Sequence, residues 1–170
     1  YNLINGIQTP APATPAGHEL SYVRQVAQQT DQYAGVITAA ANNVTQQGTY
    51  PANNSLAAQL KIVAQLIAGG LKTRIYMVSM GGFDNHSNQV QAGATTTGTH
   101  ADLLVRLSDA IKAFMDDLTF LNVANRVVGM TFSEFGRRIL SNNSLGTDHG
   151  AGAPMFIFGN QVMGGMMGTN

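Results

Sequence analysis

Residues 126–150 read RVVGMTFSEFGRRILSNNSLGTDHG. An apolar run, Val127 to Phe132, stops abruptly at Ser133, Glu134 and Arg137, and a short polar loop then leads to Asp148 and His149 between Gly146 and Gly150. A buried strand that ends in acid, base and imidazole is how an α/β protein furnishes a site, because ligands of such sheets bind beyond the carboxyl ends of the strands. Just upstream, Leu103, Leu107, Ile111, Phe114 or Met115, Leu118 and Leu121 recur at helical spacing and predict an amphipathic helix. Thr99 and Asp102 make a weak capping box at its start. Asp102–Arg106 and Lys112–Asp116 are spaced for i,i+4 pairs on its wet face. Further back, Arg74 to Met80 holds the near-continuous apolar run Ile75, Tyr76, Met77, Val78, which suits a strand covered on both faces. Strand, helix and strand together predict a right-handed βαβ unit with parallel strands. Gly81–His86 and Ser133–Arg137 should then emerge at the same sheet edge.

The rest of the chain is less informative. Pro10, Pro12, Pro15 and Gly17 make residues 1–17 an extended, linker-like segment, since proline fixes φ and removes amide donors. A weakly apolar helix is expected from about His18 through Ala41, followed by a polar loop from Asn42 to Asn54. Ser55 is placed to cap a second helix, on which Leu56, Leu60, Val63 and Ile67 share a face and which Gly69-Gly70 ends. Pro154 to Phe158 reads as a further strand, with Gly159-Asn160 as a hairpin turn. The expected fold is therefore α/β, a mostly parallel sheet flanked by helices, with residues 18–170 forming part of a single domain. The chain opens without methionine and ends in a glycine-rich stretch, so it reads as an internal portion of a longer protein, holding the C-terminal part of the domain.

Composition narrows the function. Charged residues are only 11% of the chain, nine basic residues balance nine acidic ones, and no Lys/Arg cluster is visible. Nucleic acid is excluded as a partner, because phosphate neutralisation needs a concentrated positive face. No apolar run approaches the roughly 20 residues that a membrane helix requires. The absence of cysteine excludes disulfides, thiolate metal sites and a cysteine nucleophile.

Asp84, His86, Glu134, Asp148 and His149 form the candidate constellation. Carboxylates with imidazoles suit zinc, manganese or iron, whereas carboxylates alone suit calcium or magnesium. A metal held there could clamp the oxygens of a phosphoryl or sulfuryl group, and the planar donor fork of Arg137 could neutralise an anionic oxygen. Taken singly, Asp-Asn-His and Asp-His in glycine-rich loops are common turn material. The shared sheet edge is what raises the joint reading. Ser79 and Ser133 lie outside any G-x-S-x-G elbow, and NQVMGGMMGTN lacks the Lys-Ser/Thr ending of a phosphate loop.

GGFDNHSNQ, LLVRLSDAIKAFMDDL, TFSEFGRR, GTDHG and GNQVMGG, in this order, resemble a bacterial family of sulfatase-like proteins known only as a domain of unknown function within the alkaline phosphatase superfamily. The resemblance covers roughly residues 70 to 168, on the strength of several ordered motifs. It implies a helix-sandwiched sheet, a divalent metal (zinc first, with calcium or manganese as alternatives), and twin-arginine export to the periplasm or beyond. In one mapping onto the superfamily pattern, Asp84 and His86 match its first Asp and His, Glu134 takes the Asp of Asp-His-Gly, and His149 the last His. In a second, Asp148-His149-Gly150 takes the Asp-His-Gly motif itself and Glu134 is an extra carboxylate. Phe135 stands where the first mapping needs a histidine, and the superfamily's nucleophile is expected upstream. Two functions follow as expectations. One is a metal-dependent hydrolase of small anionic phosphate or sulfate esters; the other is a catalytically degenerate member that binds or assembles at the cell surface.

Overall fold

A computed structural model describes residues 9–168. Residues 1–8 of the expected linker, and Thr169 and Asn170 of the glycine-rich end, lie outside the described residues. The element order is α1 (Pro15–Asn42), α2 (Ser55–Ala68), α3 (Thr99–Phe120), a 3-10 turn (Ala124–Arg126), β1 (Gly129–Met130), β2 (Gly136–Arg137), β3 (His149–Gly150) and β4 (Ile157–Phe158).

The helices follow their local signals with shifted ends. α1 begins before His18, at Pro15, where proline loses nothing by lacking an N–H and Thr14 Oγ1 accepts from Gly17 N at 3.2 Å. The cap of α2 is Asn54 rather than Ser55, through Oδ1 accepting from Ala57 N at 3.2 Å. α2 ends as expected at Gly69-Gly70. Gly70 has φ 88°, and Gly70 N and Leu71 N return to Ile67 O and Leu66 O, which satisfies carbonyls that the helix would leave orphaned. α3 ends the same way on Asn122, φ 58°. Its start departs from expectation. Gly98 is the N-cap with no side-chain bond, while Thr99 Oγ1 donates to Asn88 O at 2.9 Å. Lys112 and Asp116 do pair, at 2.5 Å, whereas Arg106 donates to Asn53 O.

α2 and α3 pack together and make the core. Leu56, Leu60, Ala64 and Ile67 meet Ala110, Phe114 and Leu118, closed off by Val123 and Ala124. α1 lies against α2, tied by Gln65 Nε2 to Ala41 O at 3.0 Å and Asn43 Nδ2 to Gly69 O at 3.0 Å, and keeps most of its apolar side chains exposed.

The expected parallel sheet is not there. Among the described residues the strands form two short antiparallel pairs, β1 with β4 and β2 with β3, so the fold is not of the alkaline phosphatase type and the βαβ unit does not form. Segment 74–80 explains why the apolar run misled. Tyr76, Val78 and Met80 pack on the core, but Ile75 is 86% and Met77 80% exposed. The run alternates, so one face rests on the helices and the other has nothing over it. No strand pairs with it among the described residues. Instead, the Gln59 side chain substitutes for a ladder neighbour at Ser79, donating Nε2 to its O at 2.8 Å and accepting its N–H through Oε1 at 3.1 Å. Of Val127 to Phe132, Gly129 and Met130 pair with Phe158 and Ile157, and Thr131 N donates to Phe156 O at 2.9 Å. The turn at Gly159-Asn160 leads into no returning strand within the described residues.

Candidate metal centre

Two loop segments and the β2–β3 pair meet beside the start of α3. Segment 83–89 follows the extended 74–80 run and is anchored to the first turn of α3, where Asn85 Nδ2 donates to Thr99 Oγ1 at 2.8 Å and His100 N to Gln89 O at 3.1 Å. Segment 142–149 lies alongside it: Asn88 N donates to Ser144 O at 2.9 Å and Gln89 N to Leu145 O at 3.0 Å. The approach demands glycine at 146, because a Cβ there would stand 2.4 Å from His86 O. The β2–β3 pair then sets Arg137 opposite His149 and Gly136 opposite Gly150.

The result is a cluster of two imidazoles and one carboxylate. Asp84 Oδ1 is 2.8 Å from His149 Nε2 and 3.1 Å from His86 Nε2. One ligand atom from each of the three residues lies within 4.8 Å of the others. Hydrogen bonds from His149 first, and then from His86, hold the Asp84 carboxyl below its ordinary range. The two rings meet edge to face at 4.8 Å, and the Phe135 ring stacks on His149 at 4.2 Å and 15°. The site is open, with side-chain exposures of 63% for Asp84, 49% for His86 and 46% for His149.

Of the residues expected at the site, Asp84, His86 and His149 come together. Asp148 stands beside them: its Oδ1 is 3.9 Å from His86 Nδ1 and accepts from Asn142 Nδ2 at 3.1 Å, and its Oδ2 is 3.7 Å from Arg138 Nη1. Glu134 is exposed and outside the cluster; its nearest hydrogen-bond partner is Ser133 Oγ at 3.5 Å. Arg137, expected to face an anion, directs Nη1 to Thr147 O at 2.5 Å and Nη2 to Phe83 O. His100 sits against Phe83, ring centroids 6.2 Å apart. Segments 83–89 and 142–149 meet, but the parallel strands that were to carry the site do not form among the described residues, and Glu134, expected to converge with Asp84 and His86, does not.

Sequence reasoning missed two organising residues. Asn142 donates to His86 O at 2.9 Å and accepts from Ser144 N and Gly146 N, at 2.9 and 3.2 Å. Buried Gln89 accepts from Thr147 Oγ1 at 3.0 Å. Asn142 lies in a stretch legible only as polar loop. Its local turn bonds are typical of asparagine, but its partner at His86 is fifty-six positions away.

The donor types are those that take a transition metal. Ligand atoms on one zinc ion with bonds of about 2.0–2.2 Å stand about 3.4 Å apart, so the 2.8 and 3.1 Å separations are those of hydrogen bonds, which an ion would have to replace. Imidazole with carboxylate favours zinc or manganese over calcium, which takes six to eight oxygens. No helix among the described residues is long and apolar enough to cross a membrane.

Comparison with known proteins places residues 11–169 within a family described as "Protein of unknown function (DUF1501)". That match is not to a sulfatase or alkaline phosphatase family, and with the absent parallel sheet it overturns the resemblance to that superfamily. No curated protein and no solved structure matches the chain.

Proposed function

The chain belongs to the DUF1501 family, and from that premise we propose that it carries a divalent metal on Asp84, His86 and His149 and acts as a metal-dependent hydrolase of small phosphate or sulfate esters. The observation that carries this reading is the convergence of two imidazoles and one carboxylate from loops sixty-five positions apart. Three protein ligands on an open face are the arrangement of catalytic rather than structural zinc sites, which are closed by a fourth.

The chain's own residues support the chemistry in distinct ways. Asp84, kept ionised by its histidine partners, offers the negative charge that a cation needs. Asp148, 3.9 Å from His86 Nδ1 and beyond hydrogen-bond reach of it, adds a second negative charge beside that ring. Arg138, 64% exposed and 3.7 Å from Asp148, is the cation at the rim for an anionic ester. When bound, the metal would supply Lewis-acid stabilisation of charge developing on an ester oxygen.

One observation favours a second reading, a non-catalytic protein that binds at the cell surface. Phe135, stacked on His149, puts an apolar ring against the cluster. The two readings are separated by metal analysis of the purified protein by mass spectrometry, followed by a screen of aryl phosphates and sulfates against an Asp84→Ala/His149→Ala double variant. Bound metal with turnover that the double variant loses is the expected result. Bound metal without turnover supports the second reading, and no metal in the parent sinks the hydrolase.

A further inference from the structure

Arg137 makes a set of contacts that no substrate role accounts for. Its guanidinium donates through Nη1 to Thr147 O and through Nη2 to Phe83 O. Phe83 directly precedes Asp84, and Thr147 is two residues before His149. One planar group therefore ties together the two chain segments that carry the cluster's carboxylate and one of its imidazoles. The same residue exchanges backbone hydrogen bonds with Gly152, through its N at 2.7 Å and its O at 2.9 Å, and so fixes the strand just beyond His149. It also holds the ring: the Arg137 guanidinium lies 5.1 Å over Phe135, whose other contact is the 4.2 Å stack on His149. Fork and stacked ring both act on the segments that carry Asp84 and His149.

We propose that Arg137 is the positioning residue of the metal centre, a cross-link that sets Asp84 and His149 side by side before any metal arrives. The inference rests on the metal-site reading given above. Its chemistry requires arginine. The guanidinium is a rigid fork of five donors that stays charged throughout the accessible pH range, and it stacks on aromatic faces. Two carbonyl oxygens from separate segments can be held at once by its two terminal nitrogens. A lysine ammonium is a single point on a flexible stem and cannot hold that spacing, nor can it stack on Phe135 as a planar group. A half-buried charge on two carbonyls is a strong bond, because charge-assisted hydrogen bonds exceed neutral ones.

The test is metal affinity rather than activity. Zinc dissociation constants would be measured by chelator competition for the wild type, Arg137→Lys and Arg137→Ala, well below each protein's melting temperature, with far-UV circular dichroism to establish the fold. The cobalt(II) absorption spectrum would report the ligand geometry in each. Loss of an outer partner of a metal ligand lowers affinity by roughly 10–100-fold, so both variants should fall in that range, with an altered cobalt spectrum. Free guanidinium at millimolar concentration should restore part of the loss in Arg137→Ala and none in Arg137→Lys. If Arg137→Ala does not fold, Arg137→Lys carries the test. Wild-type affinity and spectrum retained in a folded variant would overturn the proposal while leaving the metal site standing. A wild type that binds neither zinc nor cobalt would overturn the site reading, and this proposal with it.

Discussion

Asp84 Oδ1 and His149 Nε2 stand 2.8 Å apart across sixty-five residues of chain, and the same oxygen faces His86 Nε2 at 3.1 Å. A single carboxylate oxygen shared between two imidazoles is a compact, anionic cluster on an exposed surface. Removing that oxygen's charge should remove the site. Asp84→Asn keeps the side-chain shape, and because the position is exposed the variant should melt within a degree or two of the wild type. Its zinc content by mass spectrometry should fall to background. Stoichiometric zinc in Asp84→Asn would show that the carboxylate is no ligand. Metal affinity in the wild type should also weaken as pH falls, since imidazole binds metal only when neutral.

Gly146 packs against the backbone of His86, where a Cβ would meet the carbonyl oxygen at 2.4 Å and its carbon at 2.6 Å. Backbone atoms cannot rotate out of the way as a flexible side chain can. Gly146→Ala should therefore separate the 83–89 and 142–149 segments, with a stability loss of about 1–3 kcal/mol, the usual range for overpacking. Urea titration would read the loss, and chelator competition should show weakened zinc binding. A variant with unchanged values in both would mean that the segments are not held at this spacing in solution.

Asp117 is the one acidic side chain fully buried among the described residues, 0% exposed on α3. Its carboxylate accepts from Gly48 N at 2.6 Å, Gln47 Nε2 at 3.0 Å and the Tyr50 hydroxyl at 2.8 Å, pinning the 44–54 loop over the helix pair. Asp117→Ala strands the Gly48 N–H and the Tyr50 hydroxyl, each worth about 1–3 kcal/mol, and leaves Gln47 Nε2 with Lys61 O alone, so a loss of about 2 kcal/mol or more is expected by denaturant unfolding. Asp117→Asn should also destabilise, because its amide turns a donor toward donors. A loss below about 1 kcal/mol for both would show that the loop does not dock.

The same network makes an alkaline signature. Burial first, then the hydrogen bond to Asp117 and its charge, push the Tyr50 phenol far above its ordinary pKa of 10.0. The folded state thus favours the neutral phenol, so the contribution is fully present below about pH 10 and is lost as pH rises toward the folded value. Wild-type melting temperature should fall more steeply above pH 10 than that of Tyr50→Phe, which has no phenol to ionise. Parallel curves for the two proteins would refute the assignment.

Phe114 is 3% exposed and lies in the seam between α2 and α3. Phe114→Ala should destabilise by about 3–5 kcal/mol, the range for truncating a core aromatic. Calorimetry would measure the shift; a change under about 1 kcal/mol would mean that the seam is not the core.

What the sequence by itself determined is local. The stripes of α2 and α3 and the glycine stop of α2 were legible because helix hydrogen bonds run between residues four apart, so a short window contains the whole cause. The residue types of the Asp84, His86 and His149 cluster stand out in the sequence too, as Asp and His in glycine-rich loops. Even Asp117 left a signal, an acid one turn from Phe114 and beside Leu118 on the buried face of α3. What only the tertiary structure decided is pairing. A strand's hydrogen bonds go to a partner that its own residues do not specify, so the runs 74–80 and 127–132 could not announce that one would find only a glutamine side chain and the other a two-residue antiparallel neighbour. The same reason governs the site. Glu134 falls outside the cluster, Asp148 stands to one side, and Arg137 grips Phe83 O and Thr147 O, because each outcome depends on the path of a segment far away in the chain.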